Sequence, residues 1–426
     1  MFTRIVRRAL VLGMLLSFAP GAASAQTANV QRVLMDPRFQ AAEDFVATDH
    51  DRFVREIIQI TEIEAPPFRE TKRGKAFADM LRQSGLSNVE IDSEGNVIGM
   101  RKGAGGGPLI AIAAHLDTVF PEGTNVKVRR EGTRLYAPGV GDDSRALAVL
   151  LEIIRAMDAA KIQTASDILF IGNVGEEGPG DLRGMKYLFQ KGPYKDKIKT
   201  FFSLDPFGWG NDITTAGIGS KRFRVTFTGP GGHSFGSFGL VNPAYSLGNA
   251  ITKLSKMPVP QRPRTTYNVG VVGGGTSVNS IPFESWMDVD IRSETKEELN
   301  KAVETFARLM HEAVDEENHS RSTSQGKIEV EVKLIGDRPF GEISQNAPIV
   351  QTASAVIRAF GMSPVYGMSS TDANIPMSMG IPAMTLESGG TGSRNHTLDE
   401  WIDVEKSTSL RGIDIAMGVL LALAGM

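Results

Sequence analysis

Acidic residues and histidines end apolar runs or stand in glycine-rich turns at five places in the chain. These places are HLD at 115–117, GDD at 141–143, GEE at 175–177, SLDPFG with Asp205, and the loop SGGTGSRNHTLDE with His396. Ligands of open α/β sheets bind outside the carboxyl ends of the strands, so we expect these side chains to meet in one crevice. Several carboxylates gathered there would repel one another at a considerable energetic cost unless a cation compensates their charge.

A divalent metal centre would supply that compensation. The chain has six histidines and no cysteine, and histidine combined with aspartate and glutamate suits zinc. Each motif alone has a simpler interpretation: HLD could cap a strand or helix, the paired aspartates could cap a helix, and the paired glutamates could form a solvated loop. Their occurrence together, in this order and with these glycines, indicates a metal site.

The segments that carry these motifs predict an α/β domain with a mostly parallel sheet. Apolar residues recur at helical spacing over residues 41–62, 71–83 and 143–159. Between them lie runs such as LIAIAAHL and DILFIGN, which are apolar almost throughout. Such strands, alternating with helices, are typical of a parallel sheet covered on both faces. A Rossmann-type nucleotide binder is excluded, because no G-x-G-x-x-G motif lies between a strand and a helix.

The pattern changes after about residue 219. KRFRVTFTG, WMDVDIRS and KIEVEVKLIG alternate between apolar and polar residues, which is typical of antiparallel strands with one solvated face. One helix is predicted to begin at Asn242-Pro243, and another covers EELNKAVETFARLMHEAV. The sequence therefore predicts an α+β unit at 219–335 inserted into an α/β domain formed by 26–218 and 336–426.

Residues 1–25 are predicted to be a signal peptide. Arg4, Arg7 and Arg8 precede an apolar stretch that ends near Phe18, and Ala-Ser-Ala stands before a cleavage site after Ala25. A membrane anchor would need about 20 apolar residues, which the sequence PG at 20–21 interrupts. We therefore expect a periplasmic or secreted protein that has no membrane segment after cleavage, with the C-terminal apolar stretch forming a packing helix. The net charge of −3 and the lack of a basic stripe argue against nucleic-acid binding.

Taken in order, the motifs resemble the co-catalytic zinc exopeptidases and amidases that include carboxypeptidase G, peptidase T, acetylornithine deacetylase and aminoacylase. The resemblance covers nearly the whole mature chain. It implies a zinc-exopeptidase (phosphorylase/hydrolase-like) catalytic domain and an inserted ferredoxin-like lid and dimerisation domain, hence a homodimer. It also implies two Zn²⁺ ions per subunit, for which Co²⁺ or Mn²⁺ could substitute.

The resemblance assigns metal ligands to five positions. Asp142 would bridge the two ions, His115 and Asp205 would complete one site, and Glu177 and His396 would complete the other. In the family the peptide bond after the bridging aspartate is often cis, so we expect a cis bond between residues 142 and 143. One departure from the family is Ser-Arg-Ala at 144–146, where a lysine or small residue followed by glycine is usual.

Other residues take catalytic and binding roles by the same resemblance. Glu176 would be the general base that takes a proton from a metal-bridging water. Asp117 would accept the second ring N–H of His115 and so fix its tautomer. His233 would reach across the dimer to stabilise the oxyanion. The substrate carboxylate would be held by a pair, Asn279 and Arg292.

The function expected from these features is that of a secreted zinc metallopeptidase or amidase. It would hydrolyse peptide or amide bonds in small peptides or N-acyl amino acids that carry a free carboxylate. An aminopeptidase or tripeptidase like peptidase T, which selects a free N-terminus, is an alternative with the same chemistry. A non-catalytic peptide-binding relative is an alternative of another class, against which the presence of Glu176 with all five ligands argues. Asp372 and Asn374 are expected to line the substrate cleft, without an assigned role.

Overall fold

The computed structural model describes residues 22–426 in two units. The first unit comprises the chain up to Ala216 together with Glu342–Met426, and the second comprises Gly217–Gly341. The predicted signal peptide lies outside the described residues except for its last four, which begin the helix Ala22–Leu34.

The α-helices of the described residues range from 5 to 25 residues in length. In chain order they are α1 Ala22–Leu34, α2 Pro37–Thr61, α3 Thr71–Gln83, α4 Ser144–Ala159, α5 Arg183–Gln190, α6 Pro243–Leu254, α7 Lys296–Ser320, α8 Pro348–Ala359, α9 Asn374–Ser378 and α10 Lys406–Ala424.

The described residues also form strands. They are β1 Asn88–Ile91, β2 Val97–Arg101, β3 Leu109–His115, β4 Arg129–Glu131, β5 Arg134–Tyr136, β6 Ile168–Asn173, β7 Ile198–Leu204, β8 Asp212–Gly217, β9 Gly219–Thr228, β10 Gly232–His233, β11 Thr265–Gly274, β12 Ser280–Ile281, β13 Glu284–Ser293, β14 Glu329–Arg338, β15 Gly341–Glu342, β16 Val365–Ser369, β17 Ala383–Leu386, β18 Thr391–Ser393 and β19 Trp401–Asp403.

Helix starts follow signals in the sequence. The Asp36 carboxylate accepts the backbone N–H of Arg38 before α2, with Pro37 at the first helical position. Before α6, Asn242 accepts the N–H of Ala244 in the same way. A short polar side chain followed by proline satisfies one free N–H and fixes the first backbone angle.

A nine-stranded sheet, most of whose strands belong to the first unit, positions the candidate site. Its order is β1-β2-β6-β3-β7-β17-β8-β15, with β16 paired to β8. The central strands β6, β3, β7 and β17 run parallel, and the pairs β2–β6 and β17–β8 are antiparallel. Because β3, β6 and β7 run parallel, their carboxyl ends meet at one edge of the sheet, and the residues that follow them are brought together there. The predicted mostly parallel α/β fold is confirmed.

Helices cover this sheet. Every residue of β6 is buried, as are all but the first of β3, which explains their near-continuous apolar sequences. Helix α10 is long and apolar enough to cross a membrane by composition, but most of its residues are buried inside the first unit. It packs against α8, α1 and α2, so it is a core helix, as expected for the C-terminal stretch.

The second unit is a four-stranded antiparallel sheet with two helices. The strand order is β11-β13-β9-β14, and the chain order β-α-β-β-α-β is ferredoxin-like. Alternate residues of β9 and β13, such as Val225 and Met287, are buried in a core with Phe306 of α7. The predicted boundary between residues 335 and 336 falls inside β14, which stays paired with β9 as far as Arg338.

Candidate metal centre

His115 ends strand β3, and its ring is held by the loop that follows. The ring is 1% exposed, and its Nδ1 lies 2.9 Å from the carbonyl oxygen of Asp117. A carbonyl oxygen can only accept a hydrogen bond, so Nδ1 carries a proton and Nε2 is the ring nitrogen left to face Asp142. Nε2 is the atom that can bind a metal ion.

Asp142 lies between two histidines. Its Oδ1 is 3.0 Å from His115 Nε2, and its Oδ2 is 3.1 Å from His396 Nε2. On the His115 side, Asp205 Oδ1 lies 4.0 Å from Nε2. On the His396 side, Glu177 Oε1 lies 3.1 Å from Nε2. The fold therefore brings together all five residues to which the sequence assigned metal ligation, and their role as ligands stays a prediction.

The donor set fits divalent cations. His115 Nε2 and Asp142 Oδ1 are both electron-pair donors, so a proton or a cation must lie between them at this distance. His115, Asp142 and Glu177 offer ligand atoms within 4.8 Å of one another, and so do His115, Asp143 and Asp205. Nitrogen and carboxylate ligands without sulfur suit zinc and similar divalent metals.

The histidines of this cluster have raised affinity for protons. Burial lowers the pKa of His115, but the charges of Asp143, Asp142 and Asp205 outweigh burial and raise that pKa well above its usual value. Hydrogen bonds with Asp142 and Glu177 raise the pKa of His396 to about 10. The carboxylates thus attract positive charge to the positions that metal ions would take.

The pKa values of the aspartates in the cluster shift in opposite directions. Burial acts to raise the pKa of Asp142, but hydrogen bonds with the two histidines hold that pKa below its usual range. Burial and the neighbouring carboxylates raise the pKa of Asp143 and Asp205 well above the usual value.

The role assigned to Asp117 needs a correction. The residue does hold the His115 ring, but through its backbone carbonyl oxygen, while its Oδ1 is 3.8 Å from Nδ1. The carboxylate instead accepts the backbone N–H groups of Glu176 at 3.0 Å and Glu177 at 2.8 Å. The fold places two N–H donors at the carboxylate, so it serves the glutamate loop rather than the histidine.

Glu176 and Glu177 follow β6 in a tight turn. Both residues are buried, with 5% and 6% exposure. Gly175 has φ of 72°, and a Cβ there would lie 2.6 Å from Arg183 Cγ and 3.0 Å from the carbonyl oxygen of Gly180. Only glycine fits this turn without strain. The turn therefore sets the direction of the chain at the two glutamates that follow it.

Asp143 is a site residue that the sequence reasoning did not assign. It stands at the N-terminus of α4 but makes no side-chain cap for that helix. Its Oδ2 instead accepts the backbone N–H of His115 at 3.0 Å, and among the described residues its Oδ1 has no hydrogen-bond partner. The Asp142–Asp143 peptide bond is cis, as expected from the family resemblance. Nothing in the DD pair distinguishes such a contact from a helix cap.

Glu400 is a second residue that the sequence reasoning missed. It is fully buried and accepts the N–H groups of Gly139, Gly141 and Asp142. Burial raises its pKa to about 7, with a further contribution from the charge of Asp142. In the sequence HTLDEW it resembles an ordinary polar residue of a surface loop.

Asp372 and Asn374 are buried, with 2% and 0% exposure. The Asn173 side chain at the end of β6 donates to both carboxylate oxygens of Asp372, at 2.9 and 2.8 Å. Asn374 Oδ1 accepts the N–H of Thr371. Asp372 also contributes to the raised pKa of Asp205, although burial is the larger cause. Both residues therefore help to build the sheet edge that carries the candidate ligands.

A cavity of about 210 Å³ adjoins Asp205. Its lining includes the carboxyl groups of Asp205, Asp212 and Glu387 and the hydroxyl groups of four serine or threonine residues. Among the described residues that line it there is no lysine, arginine or histidine. Its chemistry favours a group that donates hydrogen bonds or carries positive charge.

His233 and Asn279 lie together in the second unit. Strand β10, which contains His233, pairs with β12, and the N–H of Ser234 donates to the carbonyl oxygen of Asn279. The exposed His233 ring accepts the N–H groups of Phe235 and Gly236 at Nδ1. Its proton is therefore on Nε2, which can act as a donor.

Asn279 and Arg292, the pair predicted to hold the substrate carboxylate, lie far apart within one chain, and their shared role stays a prediction. Asn279 precedes β13, which begins at Glu284, and Arg292 lies eight residues after Glu284 in that strand. At 3.3 Å per residue, those eight residues span about 26 Å. The length of the strand keeps the two side chains at opposite ends of the sheet.

Arg292 instead belongs to a group of arginines at the far end of the sheet. Ser220 of β9 pairs with Arg292 on one side and Arg338 on the other. Burial lowers the pKa of Arg222, and the charges of Arg338 and Arg292 lower it further. Asp290 contacts both Arg222 and Arg292. Arg338 was not recognised in the sequence, where nothing marks DRPF as part of this group.

Comparisons with known proteins give one family. A model described as peptidase family M20/M25/M40 matches residues 111–422. Succinyl-diaminopimelate desuccinylase from Corynebacterium glutamicum is 25% identical over 362 residues, which are 83% of this chain and 93% of that protein. Carboxypeptidase G2 from Pseudomonas sp. is 25% identical over 216 residues, half of each chain. The crystal structure of aminopeptidase PepT from Bacillus cereus superposes with a TM-score of 0.69 at 24% identity, covering 88% of this chain and 99% of that chain.

Proposed function

The chain belongs to peptidase family M20/M25/M40, and we propose that it removes a C-terminal residue or an acyl group from small peptides or N-acyl amino acids with a free carboxylate. Members of this family are hydrolases of peptide and amide bonds, and the chain is a hydrolase of this class. Members of the family bind two metal ions.

The observation that carries the proposal is the position of Asp142. Its two oxygens face two different histidines, at 3.0 and 3.1 Å, and each histidine has a further carboxylate beside it. A buried carboxylate used on both sides is the arrangement expected of a bridging ligand. We propose that the ions are Zn²⁺, since the donor set contains nitrogen and oxygen and no sulfur.

Two divalent cations, when bound, polarise the substrate carbonyl and lower the pKa of water. The protein groups supply the remaining steps. Glu176 is buried beside the cluster on the loop held by Asp117, and we assign it the transfer of a proton from the attacking water to the leaving amine. In a homodimer, the Nε2 proton of His233 from the partner copy would suit donation to the developing oxyanion.

The arginines of the second unit support recognition of a substrate carboxylate. Arg222, Arg292 and Arg338 share one end of the sheet, and a planar guanidinium binds a carboxylate through two parallel hydrogen bonds. Asn279 precedes the opposite end of β13, the strand that carries Arg292. If it joins Arg292 in holding one substrate, the two side chains must come from different copies of the chain, which favours a homodimer through this unit.

We place the protein in the periplasm or outside the cell. The proposal depends on the sequence at 1–25, with its arginines, apolar stretch and Ala-Ser-Ala. N-terminal sequencing of the exported protein should begin at Gln26. An N-terminus at Met1, or retention in the cytoplasm, contradicts it.

An aminopeptidase is the second candidate, and one observation favours it. The cavity beside Asp205 has three acidic residues and four serine or threonine residues in its lining, which suit the ammonium group of a free N-terminus.

A panel of blocked and free peptides separates these candidates. The purified protein is incubated with Zn²⁺ and with N-acetyl amino acids, dipeptides, tripeptides, and tripeptides blocked at either end. Cleavage that persists with a blocked N-terminus and stops with a blocked C-terminus supports the carboxypeptidase or amidase. The reverse pattern supports the aminopeptidase. Binding without cleavage at any metal content supports the non-catalytic peptide-binding relative.

Glu176→Gln tests the catalytic assignment in the same assay. Both metals should remain by elemental analysis, while kcat falls by a factor on the order of 10²–10⁴, the contribution typical of general acid–base catalysis. Glu122→Gln, an exposed glutamate of another loop, is the control and should keep wild-type activity. Substantial hydrolysis by Glu176→Gln contradicts its role as the base.

A further inference from the structure

We propose that Glu400 is a positioning residue that fixes the His396 loop against the Asp142 loop and thereby sets the metal affinity of the site formed by His396 and Glu177. The inference depends on the proposed two-metal centre. It concerns a residue that lies outside the ligand set and is fully buried.

His396 stands near the tip of a hairpin. Strands β18 and β19 pair in register from Thr391 opposite Asp403 to Ser393 opposite Trp401. Residues 394–400 form the connecting loop, and Glu400 is the only buried residue among them. The His396 side chain is 54% exposed, so packing alone does not hold it in place.

Glu400 joins this hairpin to the segment that carries Asp142. Strand β19 pairs with β5, and the ladder continues because the N–H of Ala137 donates to the carbonyl oxygen of Glu400. The Glu400 side chain then reaches the following turn. Its Oε2 accepts the N–H of Gly139 at 2.9 Å, and its Oε1 accepts those of Gly141 and Asp142 at 2.8 and 3.0 Å.

These bonds fix both partners of one metal site. Asp142 Oδ2 and His396 Nε2 lie 3.1 Å apart and face the same candidate metal site. Glu400 is hydrogen-bonded to the loop that carries Asp142, and it is itself part of the loop that carries His396. If the carboxylate is lost, the hairpin can move relative to Asp142 without any change in the ligands themselves.

The site formed by His115 and Asp205 has separate support. The carbonyl oxygen of Asp117 and the carboxylate of Asp143 hold His115. The backbone N–H of Asp205 donates to the carbonyl oxygen of Leu386 on the neighbouring strand. None of these contacts involves the hairpin at 394–400, so a change at Glu400 should affect the two metal sites unequally.

Glu400→Gln tests this. Glutamine has one side-chain oxygen, and its amide group would face a backbone N–H, so at least one of the three bonds is lost. Metal-free wild type and variant are titrated with Zn²⁺ by calorimetry at a fixed pH, and bound metal is counted by elemental analysis. Glu405→Gln is the matched control, because the Glu405 carboxylate also accepts backbone N–H groups, at the start of α10.

We expect wild type and Glu405→Gln each to bind two ions, and the affinity of each site to be the same in both proteins. Glu400→Gln should lose affinity at the site of His396 and Glu177 by about 10–100-fold, the effect typical of groups that orient metal ligands, and should lose clearly less at the site of His115 and Asp205, which shares only Asp142 with the first. In a His396→Ala background, Glu400→Gln should cause no further loss, because both changes act on one site.

Three results would overturn the inference. Unchanged affinity at both sites of Glu400→Gln overturns it. An equal loss at both sites also overturns it and indicates a general loss of structure. Fewer than two ions in wild type overturns the proposed metal centre itself, and the inference with it. If Glu400→Gln does not fold, Glu400→Asp, which keeps the charge but is one methylene shorter, is titrated instead with the same expected inequality.

Discussion

Replacing Asp117 with asparagine tests which atoms of this residue matter. Both carboxylate oxygens accept backbone N–H groups, from Glu176 at 3.0 Å and from Glu177 at 2.8 Å, while His115 is bound to the backbone carbonyl oxygen. Asparagine keeps that carbonyl oxygen and one side-chain oxygen, but its amide group faces an N–H donor. One glutamate N–H therefore loses its acceptor in a fully buried place.

The expected magnitude follows from these contacts. A hydrogen bond to a charged group contributes about 1.5–3 kcal/mol, and a buried donor left without a partner costs about 1–3 kcal/mol. The two figures partly describe the same loss, so we expect Asp117→Asn to lower the free energy of unfolding by about 2–4 kcal/mol. The loop that moves carries Glu176, and a displacement of about 1 Å in a reacting group costs on the order of 10²-fold in rate.

Two measurements check this expectation. Urea unfolding of the metal-free protein gives the change in stability, and kcat is measured at saturating Zn²⁺ on a substrate found by the peptide panel. Asp36→Asn is the control, because Asp36 caps α2 far from the site along the chain and asparagine caps a helix equally well. A free energy of unfolding within about 0.5 kcal/mol of wild type would refute the reasoning. Loss of the metal at His115 with normal stability would instead mean that the carboxylate acts on the histidine.

Three further changes give distinct results. The pKa of His396 is raised from 6.5 to about 10, so its protonation stabilises the metal-free protein fully below about pH 6.5, and this stabilisation is lost as the pH rises to 10. Calorimetric melts across this range should show a fall in melting temperature that is absent in His396→Ala. At pH 7 the same histidine is protonated and must release a proton on binding metal, so titrations in buffers of different ionisation enthalpy should show fewer protons released by His396→Ala. Burial raises the pKa of Glu152 from 4.5 to about 8, so the protonated side chain favours folding below pH 4.5 and this contribution is lost towards pH 8. Between pH 4.5 and pH 8 the urea midpoint of Glu152→Gln should therefore fall less than that of wild type. An identical fall contradicts the raised pKa of Glu152. Gly175→Ala forces a side chain into φ of 72° and should cost about 1–3 kcal/mol, measured by urea unfolding; an unchanged midpoint would show that the turn relaxes freely.

The sequence by itself determined the elements and the chemistry they carry. Helical spacing over 71–83 predicted α3 with the bounds observed, and the strictly alternating residues near Val225 predicted a sheet with one buried face. Apolar runs without alternation predicted parallel strands, whose carboxyl ends then had to meet at one edge. These inferences succeeded because the period of apolar residues and the direction of parallel strands are local properties.

The tertiary structure alone decided which atoms hold which groups. Asp117 was predicted to orient His115 by its carboxylate, and the fold placed two N–H donors there instead. Glu400 looks like a loop residue in the sequence, yet it accepts a hydrogen bond from Gly139, 261 residues away. Asn279 and Arg292 were assigned to one substrate carboxylate but are separated by the length of β13. A hydrogen bond depends on the distance and direction between two atoms to within a few tenths of an ångström, and for residues remote in sequence only the packing of the whole chain sets those quantities.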